Sequence, residues 1–200
     1  MRPAPGSYFD GMGMSPLAFF EWLADTSWSV DLHESQYAYA IIESIHVWAM
    51  AFFFGLVVMF DLRLLGVIMR KVPVSEVLDR LLPWTIAGFV IMVITGSLLF
   101  FAIPLRSFQN LFFRGKMILM LLAGLNVWLF HSRVYPKVVA RDAGEVPPRE
   151  AKLAGACSLV LWIGIVMSGR MIAYNWFDCD RQPQTAVINF LTSCFPEAGP

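Results

Sequence analysis

Charge is scarce in this chain of 200 residues: only 15% of it is Asp, Glu, Lys or Arg, where a soluble domain has about 25%. With 58% hydrophobic residues, the surplus apolar surface needs a solvent other than water, which excludes a soluble cytosolic enzyme and intrinsic disorder alike. Neither sign is in excess, since 15 Lys+Arg balance 15 Asp+Glu. No basic face is visible to neutralise phosphates, so a nucleic-acid partner is excluded too. Cysteine is sparse: the three present are too few and too far apart for a paired zinc site, and no C-x-x-C-H haem attachment signal occurs. Met1–Asp10 has one positive charge, Arg2, and no apolar run behind it. It therefore lacks the form of a cleavable signal peptide and is expected to stay on the mature protein. There is no internal repeat and no sign of a second globular domain.

Long apolar runs are what the chain has in abundance. Leu81–Leu105 is uncharged over 25 residues, the length of a membrane span. A first span reads from Gln36 to Leu65, strongest over Val47–Phe60, and Pro83 falls in the first turn of the second, where its missing amide hydrogen costs little. The third is shorter, because Met117–Phe130 gives only 14 residues between Lys116 and His131. Since a span needs roughly 20, Lys116 or Arg114 must lie in the membrane or snorkel out of it. The fourth, Leu153–Gly169, ends at Arg170 and continues as Met171–Phe177. Before the spans, residues 1–14 read as an irregular lead-in. Ser15-Pro16 then opens a helix to about Trp28, with Leu17, Phe20, Ala24 and Trp28 on one face and Glu21 and Asp25 on another. This stretch is either an interfacial amphipathic helix or a short helix packed on an extramembrane loop. The expected fold is all-α: a four-transmembrane-helix bundle over residues 36–177, an extramembrane lead-in with an N-terminal amphipathic interfacial helix over 1–35, and an extramembrane tail over 178–200. Asp142–Arg149 reads as a linker. Ala51/Gly55 and Gly164/Ser168 allow close helix contact without functional specificity.

Four spans put both termini on one side. Loops 61–80 and 131–152 hold nine of the fifteen basic residues, Arg63 among them, and the N-terminal tail holds only Arg2. The positive-inside rule places those loops in the cytoplasm and both termini outside. Cys179 and Cys194, both beyond the fourth span, then face an oxidising compartment and are expected to pair, while Cys157 is expected to be a buried thiol.

Ionisable groups inside a membrane each imply a partner, a cavity or a cofactor. Counted from the inner boundary, His46 lies roughly 25 Å up, Lys116 roughly 24 Å and Arg170 roughly 27 Å. Three helices thus bring these residues into one layer below the outer boundary, with Glu43 one turn above His46 and Thr95 at similar depth. Three readings remain open. The layer is an interfacial girdle; or it is a haem b pocket with His46 on the iron and Arg170 or Lys116 on the propionates; or Glu43-x-x-His46 is part of a metal or proton-relay site. His33 and His131 lie outside this layer, which disfavours a bis-histidine haem within one monomer. Lys116 could ligate only as a neutral amine. Arg170, permanently charged and two-pronged, is the better propionate clamp.

The runs Ile45-His-Val-Trp-Ala-Met50, Asp61-Leu-Arg-Leu-Leu-Gly66, Pro83–Gly88, Thr95-Gly96, Gly115-Lys116, Ala123-Gly-Leu-Asn126 and Gly169-Arg-Met-Ile-Ala-Tyr174 resemble an uncharacterised bacterial family of small four-helix membrane proteins. The likeness spans roughly residues 15–177 and implies the fold and a bacterial inner membrane. More distantly, the order of His46, Arg63, the glycine late in span two and Lys116 is similar to the HemJ-type membrane protoporphyrinogen oxidases. That similarity implies haem b and activity tied to His46 and Lys116. This chain departs from those oxidases in lacking their C-terminal signature and ending in a cysteine-containing tail. The functions to weigh are a haem b electron-transfer protein serving a larger membrane complex, a non-catalytic accessory subunit, and a HemJ-like oxidase. Expected partners are the lipid bilayer and other membrane subunits or further copies of the chain.

Overall fold

A computed structural model describes residues 16–35, 37–140, 147–174, 177, 179 and 184–194. The lead-in 1–14 and most of the expected linker Asp142–Arg149 fall outside these residues. The described chain is helical, with no strand. Two short helices, α1 (Pro16–Ala24) and α2 (Ser27–Glu34), precede α3 (Ala38–Leu65), α4 (Val74–Ala102), α5 (Pro104–Gln109) and α6 (Leu111–Leu129). A π-helical turn at Phe130–Val134 then leads into α7 (Tyr135–Val139), followed by α8 (Arg149–Ile172) and α9 (Ala186–Thr192). Four helical stretches are long and apolar enough to cross a membrane: α3, α4, the continuous run Leu111–Val139, and α8. Trp48 is 79% exposed, Leu121 74% and Val160 71%, an outer surface only a bilayer would solvate.

Several boundaries move from their sequence positions, each for a physical reason. The expected single helix from Ser15 to Trp28 breaks at Thr26, whose hydroxyl donates to the Leu23 carbonyl at 2.7 Å, so α1 and α2 are separate. The second span begins at Val74, not Leu81, because Val74 and Val77 pack inward while Arg80 pairs with Glu76 on the outside at 2.6 Å. Pro83 consequently sits inside α4. The third span is longer at both ends, running from Leu111 to Val139. Asn110 opens it, its Oδ1 accepting from the Phe112 and Phe113 amides at 2.9 and 3.1 Å, a cap of about 1 kcal/mol. At the far end the Tyr135 amide reaches back to the Phe130 carbonyl. This widened turn sits just ahead of Pro136, which has no amide hydrogen to continue the α pattern.

The bundle has two distinct ends. At one, α3 stops at Gly66 with φ 75°, where the Val67 amide bonds to the Leu62 carbonyl at 2.9 Å, a stop that favours glycine because other residues rarely take that conformation. Arg63, expected among the loop cations, is instead in the last turn of α3 and 1% exposed, its Nε donating to the Val72 carbonyl at 2.8 Å across the tight turn. At the opposite end α1, α2, α5 and α9 form a cap. Phe20 stacks on Phe108 at 4.3 Å; Arg114 donates to the Phe108 carbonyl at 2.8 Å and to the Leu191 carbonyl. Cys179 and Cys194 are joined by a disulfide with a Cα–Cα distance of 5.4 Å.

Between the ends, α3 packs on α4 and α8, and α6 on α8, whereas α4 and α6 do not pack along their lengths. The central core is Ala49, Phe53, Met92, Ala123, Trp162 and Ile165, with the Phe53 and Trp162 rings edge to face at 4.8 Å. The inward face of α8 runs through Ala151, Gly155, Ser158, Trp162 and Ile165. Cys157 lies off that stripe and is exposed, contrary to the buried thiol expected.

Candidate functional site

His46 occupies the third turn of α3 and faces α4. Its Nδ1 is 2.9 Å from Thr95 Oγ1, and the Thr95 hydroxyl is itself 2.7 Å from the Ile91 carbonyl. A hydroxyl has one hydrogen, and here it goes to Ile91, which leaves the Thr95 oxygen to accept from the imidazole. The Met92 carbonyl, which can only accept, also faces the ring. The neutral imidazole is thereby the Nδ1–H tautomer. Among the described residues no hydrogen bond reaches Nε2, which keeps its lone pair.

The register of α4 makes this contact possible. Thr95 is 7% exposed, and a Cβ placed on the next residue, Gly96, would lie 3.1 Å from His46 Cε1. The close approach of the ring thus depends on Gly96 having no side chain. Lys116, in the second turn of α6, acts on the ring electrostatically. It is partly buried, its Nζ 3.6 Å from the position a Cβ would take on Gly169 of α8. Glycines therefore line both members of the pair.

The other two residues singled out in the sequence make their observed contacts elsewhere. Arg170 is exposed; its Nη2 donates to Tyr174 Oη at 2.9 Å and its guanidinium lies 5.0 Å from that ring's centre. Glu43 is exposed near Tyr39 and Arg106. His33 is exposed on α2, and His131 is exposed and stacked on Tyr135 at 5.3 Å. No group of three or more His, Cys, Asp or Glu stands close enough to hold a metal ion among the described residues.

Sequence reasoning missed three polar side chains that face a neighbouring helix. Asn110, 1% exposed, caps α6 and donates to the Ile172 carbonyl of α8 at 3.3 Å. Asn126 donates to the Ala154 carbonyl at 3.1 Å. Asp61, 3% exposed, faces α8 where Gly155 allows close approach, with the Ser158 hydroxyl beside it. The sequence carries a signal for Asp61, which stands in the helical register of Val57 and Leu64, both of which face other helices, but Arg63 and Gly66 close behind it give it the look of a loop start.

No curated protein and no solved structure matches the chain. A family model does, over residues 19–175 and so through all four candidate spans and the His46 site, and the chain belongs to that family of unknown function, DUF6644.

Proposed function

We propose that this is a haem b protein of a bacterial inner membrane that passes electrons, as a subunit of a larger membrane complex or with further copies of itself. The observation that supports it most is the tautomer of His46. An imidazole that holds haem iron must offer a lone pair at one nitrogen while its other N–H is anchored, an arrangement that fixes the ring and raises its basicity. His46 has its Nδ1–H on Thr95 and no hydrogen bond at Nε2 among the described residues, so the donor chemistry fits. Haem b held there would supply one-electron chemistry. Thr95 orients the imidazole, Gly96 gives the ring room, and Lys116 and Arg170 are the cations available to propionates. Glu43 stands at the outer surface as a polar neighbour of the site. The similarity to HemJ-type oxidases supports the same pair, His46 and Lys116; the oxidase activity itself is not part of this reading.

The same reading places both termini in the periplasm, on the excess of basic residues in the two inner loops, and so places the Cys179–Cys194 pair where disulfides persist. A visible spectrum tests the haem directly. Protein produced with haem available and purified from membranes is expected to show a Soret band and reducible b-type features. Haem-free wild-type protein would overturn the reading and leave the accessory-subunit function in its place.

A further inference from the structure

Beyond the stacked Phe100 and Phe113 rings at the cap end, α4 and α6 do not pack along their lengths, and a cavity of 380 Å³ lies between them toward the end of the bundle that carries the α3–α4 turn. Its polar end is far from His46, since Asp61 lies 15 residues further along α3, or roughly 22 Å; Phe53 forms its near wall, roughly 10 Å along α3 from His46. Its size is within the range of small-molecule sites. Ile86 of α4 and Val127 of α6 line it and are 52% and 53% exposed, so the way in is from the lipid side, between those two helices. The wall includes five aromatic side chains, Phe53, Phe60, Phe89, Phe130 and Trp162. Asp61 and Ser158 are its buried polar members; the Ser158 hydroxyl bonds to the Asp61 carboxyl, yet Asp61 Oδ2, fully enclosed, has no hydrogen-bond partner among the described residues.

An enclosed carboxyl oxygen without a partner is costly and in a membrane helix marks a place where something binds. We infer that this cavity is a binding site for a bilayer-dissolved hydroxy-aromatic molecule, a phenol or quinol carrying an apolar tail, with its hydroxyl on Asp61. Each part of that description has a cause. Entry through lipid requires an apolar molecule. Aromatic walls favour a ring, which stacks or meets them edge-on. A hydroxyl both donates and accepts, so once the Asp61 carboxyl turns about its Cβ–Cγ bond to present Oδ2 to the cavity, the hydroxyl satisfies that oxygen whether Asp61 is a carboxylate or a carboxylic acid. Binding here is independent of haem at His46, because the two sites share no residue.

The test uses the full chain in detergent micelles and titrates three probes calorimetrically: 4-hexylphenol, its methyl ether 4-hexylanisole, and 1-decanol. The phenol is expected to bind saturably, at least ten-fold tighter than the ether and than the alcohol. Asp61→Leu is expected to bring the phenol down to the ether's affinity. Because that variant replaces a buried residue, Gly124→Phe provides a second test: Gly124 lines the cavity and a Cβ there meets nothing within 4 Å, so a folded protein with a filled cavity should bind none of the probes. Equal affinity for phenol and ether would mean that an acyl chain or detergent tail suffices, and would overturn the inference. So would 1-decanol matching the phenol, which points to an aliphatic lipid alcohol, or phenol binding unaffected by Gly124→Phe. The haem spectrum of Gly124→Phe should be unchanged, which separates failure here from failure of the haem reading.

Discussion

The two ends of the bundle treat polar side chains in opposite ways. Near the cap, the His46–Thr95 pair is closed: Nδ1 is anchored, the threonine hydrogen is used, and Gly96 brings the helices together around the ring. Near the α3–α4 turn, Asp61 is as buried as Thr95 but has an oxygen with no hydrogen-bond partner among the described residues, beside a cavity that lies between α4 and α6. The helices of the closed site, α3 and α4, pack on one another; those that border the open site, α4 and α6, do not pack along their lengths. A polar group in a membrane protein is thus held by hydrogen bonds where packing is tight, and is left available where packing fails.

That contrast predicts effects of different size and sign. The largest is at His46: His46→Ala is expected to abolish a haem spectrum while the protein stays in the membrane at normal yield, read by reduced-minus-oxidised difference spectra. A retained spectrum would move the ligand elsewhere and dissolve the distinction between the ends. Next is Thr95→Val, which keeps shape but leaves the imidazole N–H without its side-chain acceptor. It is expected to cost about 1–3 kcal/mol in denaturation in mixed micelles. Asp61→Leu should act with the opposite sign, leaving stability unchanged or raising it by about 1 kcal/mol, since it removes an unsatisfied buried group. If both substitutions destabilise equally, Asp61 is satisfied in the membrane and the two ends are alike. The smallest effect is at Arg170, which is exposed and paired only with Tyr174. Arg170→Ala is expected to weaken haem retention a few-fold, about 1 kcal/mol, without eliminating the spectrum. Orientation is a separate check: reporter fusions at residue 145 should behave as cytoplasmic, and an outside signal there inverts the assignment of the ends.

Legibility in the sequence followed the same division. The four spans could be read because lipid demands about 20 apolar residues in a row. Their ends could not be read so well: the first turns of α4 and α6 are built from mixed residues whose inward members, such as Val74, show only against a neighbouring helix. His46 and Lys116 stood out as charges in apolar runs. Asp61 did not, because an acid followed by Arg63 and Gly66 looks like the edge of a loop, and only the packing of α8, whose Gly155 lies against Leu64 and the Asp61 backbone carbonyl, buries the side chain.

By itself, then, the sequence determined the apolar surroundings, the helical class and the number of candidate spans, since all of these follow from composition and the length of the apolar runs. Tertiary structure alone decided which way the ionisable residues face and whom they meet. It turned Arg170 toward Tyr174, joined His46 to Thr95 across a separation of 49 residues and chose the imidazole tautomer. It also opened a cavity at Asp61. The reason is rotational: depth along a helix is linear in residue number, but direction depends on how each helix is turned about its axis, and that is set by the small residues through which the helices touch.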